Sequence, residues 1–377
     1  MKFGGITLRY AAAALALLAC ACSTSTGPKP AELTPLEHEA QVRVLWSANA
    51  GDGGRFIFAP ALADGALYTA ARDGTVTRFE TANGRTLWSV SAGTRLSGGV
   101  GSDGRTVAVA NEDGEVIALD AENGQRRWTA RVSSEVIAAP AVGSGLVLVR
   151  SIDNRVFAFG SQDGKRRWIY QRAPSSLIIR APAGVTIEGD TAFAGFAGGK
   201  LAAIQLSNGG VRWEATVALP KGGTELERVA DVVGDPAVQG REVCAVTYQG
   251  RIGCYEMASG RQVWARDISS LTGVSLDVRY AFVSDDRGAV QAFDRSNGRS
   301  VWKQDKLAHR QLSQPQPFGE LIAVGDLEGY IHLLARDTGA FVARYATGGG
   351  PVRTAPRPIP GGLLVQTQNG ALHALAL

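Results

Sequence analysis

The side chains that most often carry out chemistry in proteins are few in this sequence and lie far apart along it. The four histidines lack the close ligand spacing of a zinc site; they are His38, His309, His332 and His373. The sequence contains no Cys-x-x-Cys-His segment for covalent haem and no Gly-x-Ser-x-Gly segment of a hydrolase nucleophile. Its Asp-Gly pairs lack the further oxygen ligands of a calcium loop. We therefore predict a protein that is not an enzyme and that holds neither a metal ion nor a cofactor.

The N-terminal segment, in contrast, predicts a covalent modification. Residues 11–19 form an uncharged apolar run, which is too short to span a bilayer because a spanning helix needs about 20 residues. The run therefore indicates a secretory signal peptide at residues 1–19. It ends in Leu17-Leu18-Ala19-Cys20, which has the form of a lipobox, the motif whose cysteine thiol receives diacylglycerol. Cys22 is the weaker alternative, because an alanine rather than a large aliphatic residue lies three positions before it.

Residues 20–41 are predicted to link the lipid to the folded domain. Ser, Thr and Pro are frequent between residues 23 and 35, a composition typical of a flexible tether. The residue after Cys20 is Ala21 rather than Asp, so the resemblance to bacterial lipoproteins implies the periplasmic face of the outer membrane. Removal of residues 1–19 deletes two basic and no acidic residues, which lowers the formal net charge from +4 to +2. A balance this small gives no reason to expect nucleic acid as a partner, and the lipid is the only predicted membrane contact.

The tryptophans are spaced regularly enough to define a repeat. Seven occur at intervals of 42, 40, 40, 45, 51 and 38 residues, and Tyr345 continues the series after 43 more. The seven are Trp46, Trp88, Trp128, Trp168, Trp213, Trp264 and Trp302. A period near 40 residues is typical of a β-propeller blade. Because the tryptophan always ends a unit, we predict that it packs against the neighbouring blade rather than lining a ligand cage.

Each unit contains the sequence signals of four short antiparallel strands. In the first unit an apolar strand from Ala66 to Ala70 is followed by the turn Asp73-Gly74, a second strand, and the turn Asn83-Gly84. Asp-Gly and Asn-Gly suit tight hairpins because their residues tolerate a positive φ. Apolar and polar residues alternate between the turns, which is the period of half-buried strands. The sequence therefore predicts an all-β fold of four-stranded antiparallel blades.

The two ends of the chain predict how the ring closes. The last unit stops at Leu377 and lacks a final strand with its tryptophan, whereas residues 42–46 form such a strand without the three that should precede it. Pairing the two leaves no free edge at the closure and joins the termini. Residues 42–377 number 336, or 42 for each of eight blades. We therefore predict one eight-bladed β-propeller over residues 42–377, closed by pairing the N-terminal strand with the C-terminal blade.

Two further cysteines, Cys244 and Cys254, flank the turn Tyr248-Gln249-Gly250 in the fifth blade. A three-residue turn would place the two cysteines opposite each other. A two-residue Gln249-Gly250 turn would place Cys254 opposite Ala245 instead. An oxidising compartment favours a disulfide, whereas the strained geometry of cross-strand pairs opposes it, so the sequence leaves both states open.

The recurring Ala-Pro, Asp-Gly, Asn-Gly and Trp unit resembles the repeat of the PQQ-dependent quinoprotein dehydrogenases. The sequence lacks the adjacent cysteines characteristic of those enzymes, and it differs from WD40 repeats because no tryptophan is followed by Asp. Residues 223–231 and 325–332, together with His309-Arg310, are similar to the BamB family of outer-membrane lipoproteins. This resemblance covers essentially the whole chain. It implies a non-catalytic propeller that binds BamA within the Bam complex and assists β-barrel proteins to fold and insert into the outer membrane.

Connector length points to a partner surface independently of the resemblance. The spacing from Trp213 to Pro236 is 23 residues, whereas the equivalent spacings are mostly 8 to 14. An unusually long loop on a repetitive scaffold often carries function. This connector joins blades four and five, and the connector one blade earlier lies on the same face of the disk. We predict that a partner binds there.

The family's BamA-contacting motifs are carried over to these two connectors residue by residue. The Leu-x-Leu-Arg motif falls on the earlier connector and the Asp-x-Asp motif on the later one. The first aspartate of the Asp-x-Asp motif falls on Asp231, but Val233 occupies the position of the second. Asp235 is the alternative for that second aspartate. For Leu177 and Ile179, burial as strand residues of blade four is the alternative to contact with the partner. The predicted partner contacts are Leu177, Ile179, Arg180, Arg228 and Asp231.

Two other functions remain as alternatives to the assembly scaffold. A PQQ-dependent oxidoreductase would bind the quinone together with calcium. A periplasmic polymer-binding propeller would present a ring of exposed aromatic side chains on one face. The scaffold itself is predicted to bind BamA and to offer strand edges to unfolded outer-membrane β-barrel proteins, a form of β-augmentation.

Overall fold

The computed structural model describes residues 27–36, 39–173 and 177–377. Within these residues all regular secondary structure is β-strand, and the same residues include no helix long and apolar enough to cross a membrane. The strands form eight four-stranded antiparallel sheets, so the predicted all-β class and the eight blades are confirmed. The predicted signal peptide and the lipidation site Cys20, with its alternative Cys22, lie outside the described residues.

In blades 1 to 4 the strands pair in sequence order. Blade 1 contains β2 (Ala61–Ala63), β3 (Ala66–Ala70), β4 (Thr75–Glu80) and β5 (Thr86–Ser91). Blade 2 contains β6 (Gly98–Ser102), β7 (Thr106–Ala110), β8 (Glu115–Asp120) and β9 (Arg126–Arg131). Blade 3 contains β10 (Ala141–Gly143), β11 (Leu146–Ser151), β12 (Arg155–Gly160) and β13 (Arg166–Gln171). Blade 4 contains β14 (Val185–Glu188), β15 (Thr191–Phe196), β16 (Lys200–Gln205) and β17 (Val211–Thr216).

Blades 5 to 7 repeat this order, and blade 8 takes its outer strand from the N-terminus. Blade 5 contains β18 (Val232–Gln239), β19 (Glu242–Thr247), β20 (Arg251–Glu256) and β21 (Gln262–Asp267). Blade 6 contains β22 (Val274–Leu276), β23 (Tyr280–Ser284), β24 (Val290–Asp294) and β25 (Ser300–Gln304). Blade 7 contains β26 (Gln316–Phe318), β27 (Leu321–Gly325), β28 (Tyr330–Ala335) and β29 (Phe341–Ala346). Blade 8 contains β30 (Arg357–Ile359), β31 (Gly362–Gln366), β32 (Ala371–Ala376) and β1 (Arg43–Asn49).

The ring closes through the pairing that the chain ends predict. Strand β1 runs antiparallel to β32, with Arg43 opposite Ala376 and Asn49 opposite Ala371. The first strands of blades 1 to 7 contact one another in succession and therefore face the centre of the ring. The second strands are the most buried, and every residue of β7 is buried. Apolar clusters join side chains of adjacent blades, which makes the ring a rigid base for its loops.

The tryptophans bind the blades together. The indole Nε1 of Trp46 donates to the carbonyl oxygen of Thr81 in the next blade at 3.0 Å. The other six donate to a carbonyl oxygen of the following blade in the same way. Gly84 has a φ of +70°, and a Cβ at this position would overlap the indole of Trp46. The Asn-Gly turn therefore supplies both the positive φ and the space into which the neighbouring tryptophan packs.

Part of the tether predicted for residues 20–41 contacts the propeller. The amide of Ala31 donates to the carbonyl oxygen of Ala308 at 2.9 Å, and the amide of Ala40 donates to that of Val342 on β29 at 3.0 Å. Leu33 packs against an apolar cluster of blades 6 and 7. The compact folded unit accordingly begins at Ala31. Composition did not reveal this, because a single packed leucine and a few backbone hydrogen bonds are enough to hold the segment.

Candidate partner-binding surface

The connectors between blades lie on one face of the ring, together with the turns between the second and third strands. For example, the amide of Leu96 in the connector from blade 1 to blade 2 donates to the carbonyl oxygen of Arg72 in such a turn at 3.1 Å. In the same way the amide of Ile152 in a turn of blade 3 donates to that of Glu135 in the connector before it at 3.0 Å. We call this side of the ring the connector face. Both predicted partner-binding connectors belong to it.

The connector from blade 3 to blade 4 presents an apolar and a cationic side chain to solvent. Leu177 is 46% exposed, and the side chain of Arg180 is 53% exposed. Ile179 between them is half-buried. Leu177 is thus outside the core, which favours the contact role over burial in blade 4. The half-buried side chain of Ile179 leaves both the contact role and burial open.

The connector from blade 4 to blade 5 contains a compact turn that its own residues stabilise. The amide of Arg228 donates to the carbonyl oxygen of Thr224 at 3.2 Å. One carboxylate oxygen of Glu227 accepts from the amides of Gly223 at 2.8 Å and Thr224 at 3.1 Å. These hydrogen bonds hold the pKa of Glu227 below its ordinary value. Arg228 is exposed on this turn, as are two large aliphatic side chains, Leu219 and Leu226.

Asp231 is placed differently from the contact residue that the sequence predicted. Its side chain lies within the protein, and the residue is only 6% exposed. One carboxylate oxygen accepts from the amide of Ile179 at 2.7 Å, and the other accepts from the amide of Gly198 at 3.0 Å. A buried carboxylate with both oxygens occupied has little surface to offer a partner. Asp231 therefore positions the connector that carries Leu177 and Arg180.

Two further side chains hold the same connector at its far end. Asp235 on β18 accepts a hydrogen bond from the amide of Gly184 at 2.6 Å. Arg150 on β11 donates to the carbonyl oxygen of Ala183 at 3.1 Å. Burial lowers the pKa of Arg150 to about 10, and the negative charge of Asp231 opposes this shift, so the guanidinium stays charged at neutral pH. The connector is thus fixed near Ile179 and again at residues 183–184.

Arg180 forms an ion pair within the protein. Its Nη2 lies 2.6 Å from Oε1 of Glu135, which belongs to the connector from blade 2 to blade 3. Glu135 and Arg150 were missed at the level of sequence. Their partners lie 45 and 33 residues further along the chain, and no local pattern links such distant positions. Asp235 was predicted only as an alternative for the second aspartate of the Asp-x-Asp motif.

Cys244 and Cys254 lie within blade 5 and not on the connector face. They face each other directly on β19 and β20, which is the register of a three-residue turn, and Gln249 in that turn has a φ of +48°. The structure joins their sulfur atoms in a disulfide. Both residues are fully buried in an apolar cluster, so they belong to the scaffold.

A second group of charged residues on the connector face is buried near blade 7. Arg310 is 2% exposed, and Asp326 and His332 are completely buried. One oxygen of Asp326 accepts from Nε of Arg310 at 2.6 Å and lies 2.9 Å from Nε2 of His332. Arg310 also donates to the carbonyl oxygen of Ala31 at 2.8 Å and pairs with Glu328. We call these residues the blade 7 cluster.

In the blade 7 cluster the positive charge of Arg310 is paired with the carboxylates of Asp326 and Glu328. Although burial would raise the pKa of Asp326, hydrogen bonds from His332, the Tyr330 amide and Arg310 hold it below its ordinary value. Burial lowers the pKa of His332, and the negative charge of Asp326 opposes that effect. Nε of Arg344 donates to Nδ1 of His332 at 3.3 Å, which fits a neutral imidazole. Among the described residues no group of three or more His, Cys, Asp or Glu side chains could hold a metal ion.

Comparison with known proteins identifies the family. A family model described as outer membrane protein assembly factor BamB matches residues 39–94 and 72–304. A protein of that name from Bordetella pertussis is 45% identical over 345 residues, which are 91% of this chain and 89% of the relative. The crystal structure of BamB from Moraxella catarrhalis superimposes with a TM-score of 0.82 at 25% identity, covering 89% of this chain and 100% of that one.

A more distant structure shows only the shared architecture. The quinohemoprotein alcohol dehydrogenase of Pseudomonas putida superimposes with a TM-score of 0.68 at 13% identity, covering 89% of this chain and 76% of that one. An identity this low carries the propeller fold and nothing about activity. The relatives of high identity share a single name, whereas the enzyme shares only a shape. The chain therefore belongs to the family of outer membrane protein assembly factor BamB.

Proposed function

We propose that this chain is a non-catalytic, lipid-anchored scaffold of the outer membrane that binds BamA and so assists β-barrel proteins to assemble. The observation that carries the proposal is the connector from blade 3 to blade 4. It presents Leu177 and Arg180 to solvent on a backbone that Asp231, Arg150 and Asp235 hold in place. Family membership supplies the role, and this connector supplies a surface suited to it.

The composition of this surface is suited to protein binding. Binding energy concentrates in a few residues, among which arginine is enriched, when neighbouring contacts exclude water. Leu177, Leu219 and Leu226 are exposed aliphatic residues on the two connectors, and Arg180 and Arg228 supply the cations. Because the connector is already fixed, a partner would not need to order it, and less entropy is lost on binding. We define the partner surface as Leu177, Ile179, Arg180 and Arg228, with Asp231 as its support.

The anchor places this surface in the periplasm under the proposal. Lipid on Cys20 would hold the propeller at the periplasmic face of the outer membrane. A Cys20→Ala variant is expected to leave the outer-membrane fraction and become soluble in the periplasm. Lipid remaining on that variant through Cys22 would move the site by two residues without changing the proposed role.

The outer strands support a second contact, with unfolded β-barrel substrates. The outer strand of a propeller blade has one edge without a strand neighbour, and such an edge can pair with an extended segment. Several outer strands also expose aliphatic side chains, among them Ile169 on β13 and Val211 on β17. In blade 7 the chain's own Ala40 already donates to Val342 on the outer strand. That contact illustrates the pairing proposed for substrates at other blades.

Affinity capture from solubilised outer membranes tests the proposal. BamA should co-elute with the parent protein and with an Arg131→Ala variant, in which an exposed arginine of β9 is removed outside the partner surface. An Arg180→Ala variant should capture much less. Capture of BamA by all three alike would show that the surface is misplaced. Absence of BamA from the parent capture, with quinone and calcium bound to the purified protein, would favour the oxidoreductase instead.

A further inference from the structure

A depression of about 510 Å³ opens on the connector face beside Arg180. Its walls come from the connectors that lead into blades 1, 3, 4 and 8 and from a turn of blade 2, so it spans the mouth of the ring. Phe56, Ile137 and Pro182 give it apolar walls. Arg180 belongs both to this depression, which we call the funnel, and to the partner surface. The funnel and the partner surface are therefore continuous.

The funnel carries more positive than negative charge. Arg55 and Arg72 share one carboxylate, that of Glu112, and Arg180 pairs with Glu135. Arg353 also lines the funnel, is exposed, and forms no ion pair with any described residue. Three guanidinium groups of the lining thus face two carboxylates, and Arg72, which is outside the lining, also pairs with Glu112. Burial opposes ionisation of Glu112, but hydrogen bonds and ion pairs with Arg72 and Arg55 hold the pKa of this carboxyl below its ordinary value.

Not every arginine in this group is available to a ligand. Arg72 donates to the carbonyl oxygen of Leu96 at 2.7 Å and lies over the ring of Phe56 at 4.7 Å from its centre. These contacts engage Arg72 within the protein, and it is not among the residues that line the funnel. Arg55 is largely exposed and has Glu112 as its ion-pair partner. Arg353 and Arg55 are therefore the cations that an incoming group could reach at least cost.

We propose that the funnel receives a carboxylate-bearing segment of the same partner that binds the partner surface. The inference rests on the proposed function, since it takes BamA as that partner. A carboxylate of the partner pairs with Arg353 and Arg55, and flanking aliphatic groups pack on Phe56, Ile137 and Pro182. Charge-assisted hydrogen bonds from arginine to carboxylate are strong and directional. The apolar walls exclude water from them, which strengthens the attraction.

This arrangement extends the predicted interface across the mouth of the ring. The partner surface comprises connectors before blades 4 and 5, whereas Arg55 and Arg353 belong to connectors before blades 1 and 8. Arg180 belongs to the partner surface and also lines the funnel. The complex would therefore be held by two separated contacts, which fixes its orientation more firmly than one contact alone.

Charge reversal at Arg353 tests the inference. We compare the affinity of purified full-length protein for BamA in the parent, in Arg353→Glu and in the matched control Arg131→Glu, which makes the same change at an exposed site outside the funnel. Arg353→Glu should weaken binding more than about tenfold, because a repelled carboxylate replaces an attracted one. Arg353→Gln, which removes charge with less change in shape, should weaken it severalfold and reduce its dependence on salt. The affinity of Arg131→Glu for BamA should stay within about twofold of that of the parent.

The outcomes separate this inference from the proposed function. If Arg353→Glu and Arg353→Gln bind BamA as tightly as the parent while Arg180→Ala binds weakly, the funnel is not occupied and the partner surface stands. If all of these variants bind as the parent does, the proposed interface fails as well. Equal weakening by Arg353→Glu and Arg131→Glu would show a general effect of net charge and would overturn the inference. Thermal unfolding of each variant confirms that folded proteins are compared.

Discussion

The blade 7 cluster and the partner surface both place arginines and carboxylates on the connector face, yet their surroundings differ. In the blade 7 cluster Arg310 and Asp326 are buried and bonded to each other, and Arg310 also holds the N-terminal segment. At the partner surface Arg180 keeps more than half of its side chain in solvent although it has a carboxylate partner. A charged loop residue has a structural role when it is buried and its hydrogen-bond and ion-pair partners all lie within the protein. When the residue is exposed, its side chain can still form contacts with another molecule.

The difference also explains why the two regions should respond differently to mutation. Loss of one member of a buried ion pair leaves the other charge desolvated and unpaired, which is costly for folding. Loss of an exposed arginine removes little from the folded state, since surface ion pairs contribute little to stability. Variants of the blade 7 cluster should therefore change stability, and variants of the partner surface should change affinity.

The largest effect is expected from Asp326→Ala. The variant leaves the buried Arg310 without its main partner and removes the acceptor for the amides of Glu328 and Tyr330. We expect the free energy of unfolding to fall by about 3–5 kcal/mol, measured by urea denaturation. Glu328→Ala is the matched control, because the Glu328 side chain is 48% exposed and should matter far less. Equal effects of the two substitutions would show that burial is not what separates the regions.

Asp231→Ala should produce an intermediate and mixed effect. The substitution leaves the amides of Ile179 and Gly198 without their acceptor, so the free energy of unfolding should fall by about 1–3 kcal/mol. Because the connector also loses its support, affinity for BamA should fall in the protein that remains folded. Denaturation and binding are measured on the same sample. Lower affinity at unchanged stability would show that Asp231 contacts the partner directly.

Lowering the pH should reduce the free energy of unfolding, because His332 in the blade 7 cluster binds a proton more readily in the unfolded chain. Its pKa is lowered in the folded state, so the unfolded chain binds the proton first as the pH falls through about 6.5. Stability is therefore fully present above that pH and declines below it, towards the folded pKa. His332→Gln should reduce the slope of unfolding free energy against pH below 6.5. Some slope should remain, because burial lowers the pKa of His373 as well. An unchanged slope would show that His332 does not carry this dependence.

The smallest effect is expected where the N-terminal segment meets β29. A carboxylate oxygen of Glu39 accepts from the amide of Arg344 at 2.9 Å, and the residue is exposed. Glu39→Ala should lower stability by less than about 1 kcal/mol but should speed hydrogen exchange at the amides of Arg344 and Ala40. Glu32→Ala makes the same change at an exposed residue of the segment and should leave exchange unaltered. Equal exchange rates in both variants would show that the segment is held by other contacts.

The architecture followed from the sequence because its determinants repeat. Each tryptophan, its hairpin turn and the glycine that receives the indole of the preceding blade recur about every 40 residues. The period therefore predicted both the blade count and the closure. The disulfide register also depended on local chemistry, but it required the turn length, which the sequence left open between two values.

The roles within the site could not be predicted in the same way. Asp231 and Arg180 look alike as charged loop residues, and only the folded structure shows that the carboxylate binds an amide 52 residues earlier. The pairing of Arg180 with Glu135 and the burial of Leu33 depend likewise on contacts between distant segments. Exposure and hydrogen-bond partners are properties of the assembled ring. The motif predicts where the partner surface lies, whereas the folded structure shows which of its residues are exposed and which are buried.

One paired measurement on Arg180→Ala tests the central claim most directly. Affinity for purified BamA and the midpoint of thermal unfolding are determined for the parent, for Arg180→Ala and for the control Arg131→Ala. We predict that Arg180→Ala binds at least about tenfold more weakly, as expected for an arginine in a binding hot spot, while its unfolding midpoint matches that of the parent. Unchanged affinity, or a loss of affinity that appears only with a lowered midpoint, would contradict the assignment of this surface to the partner.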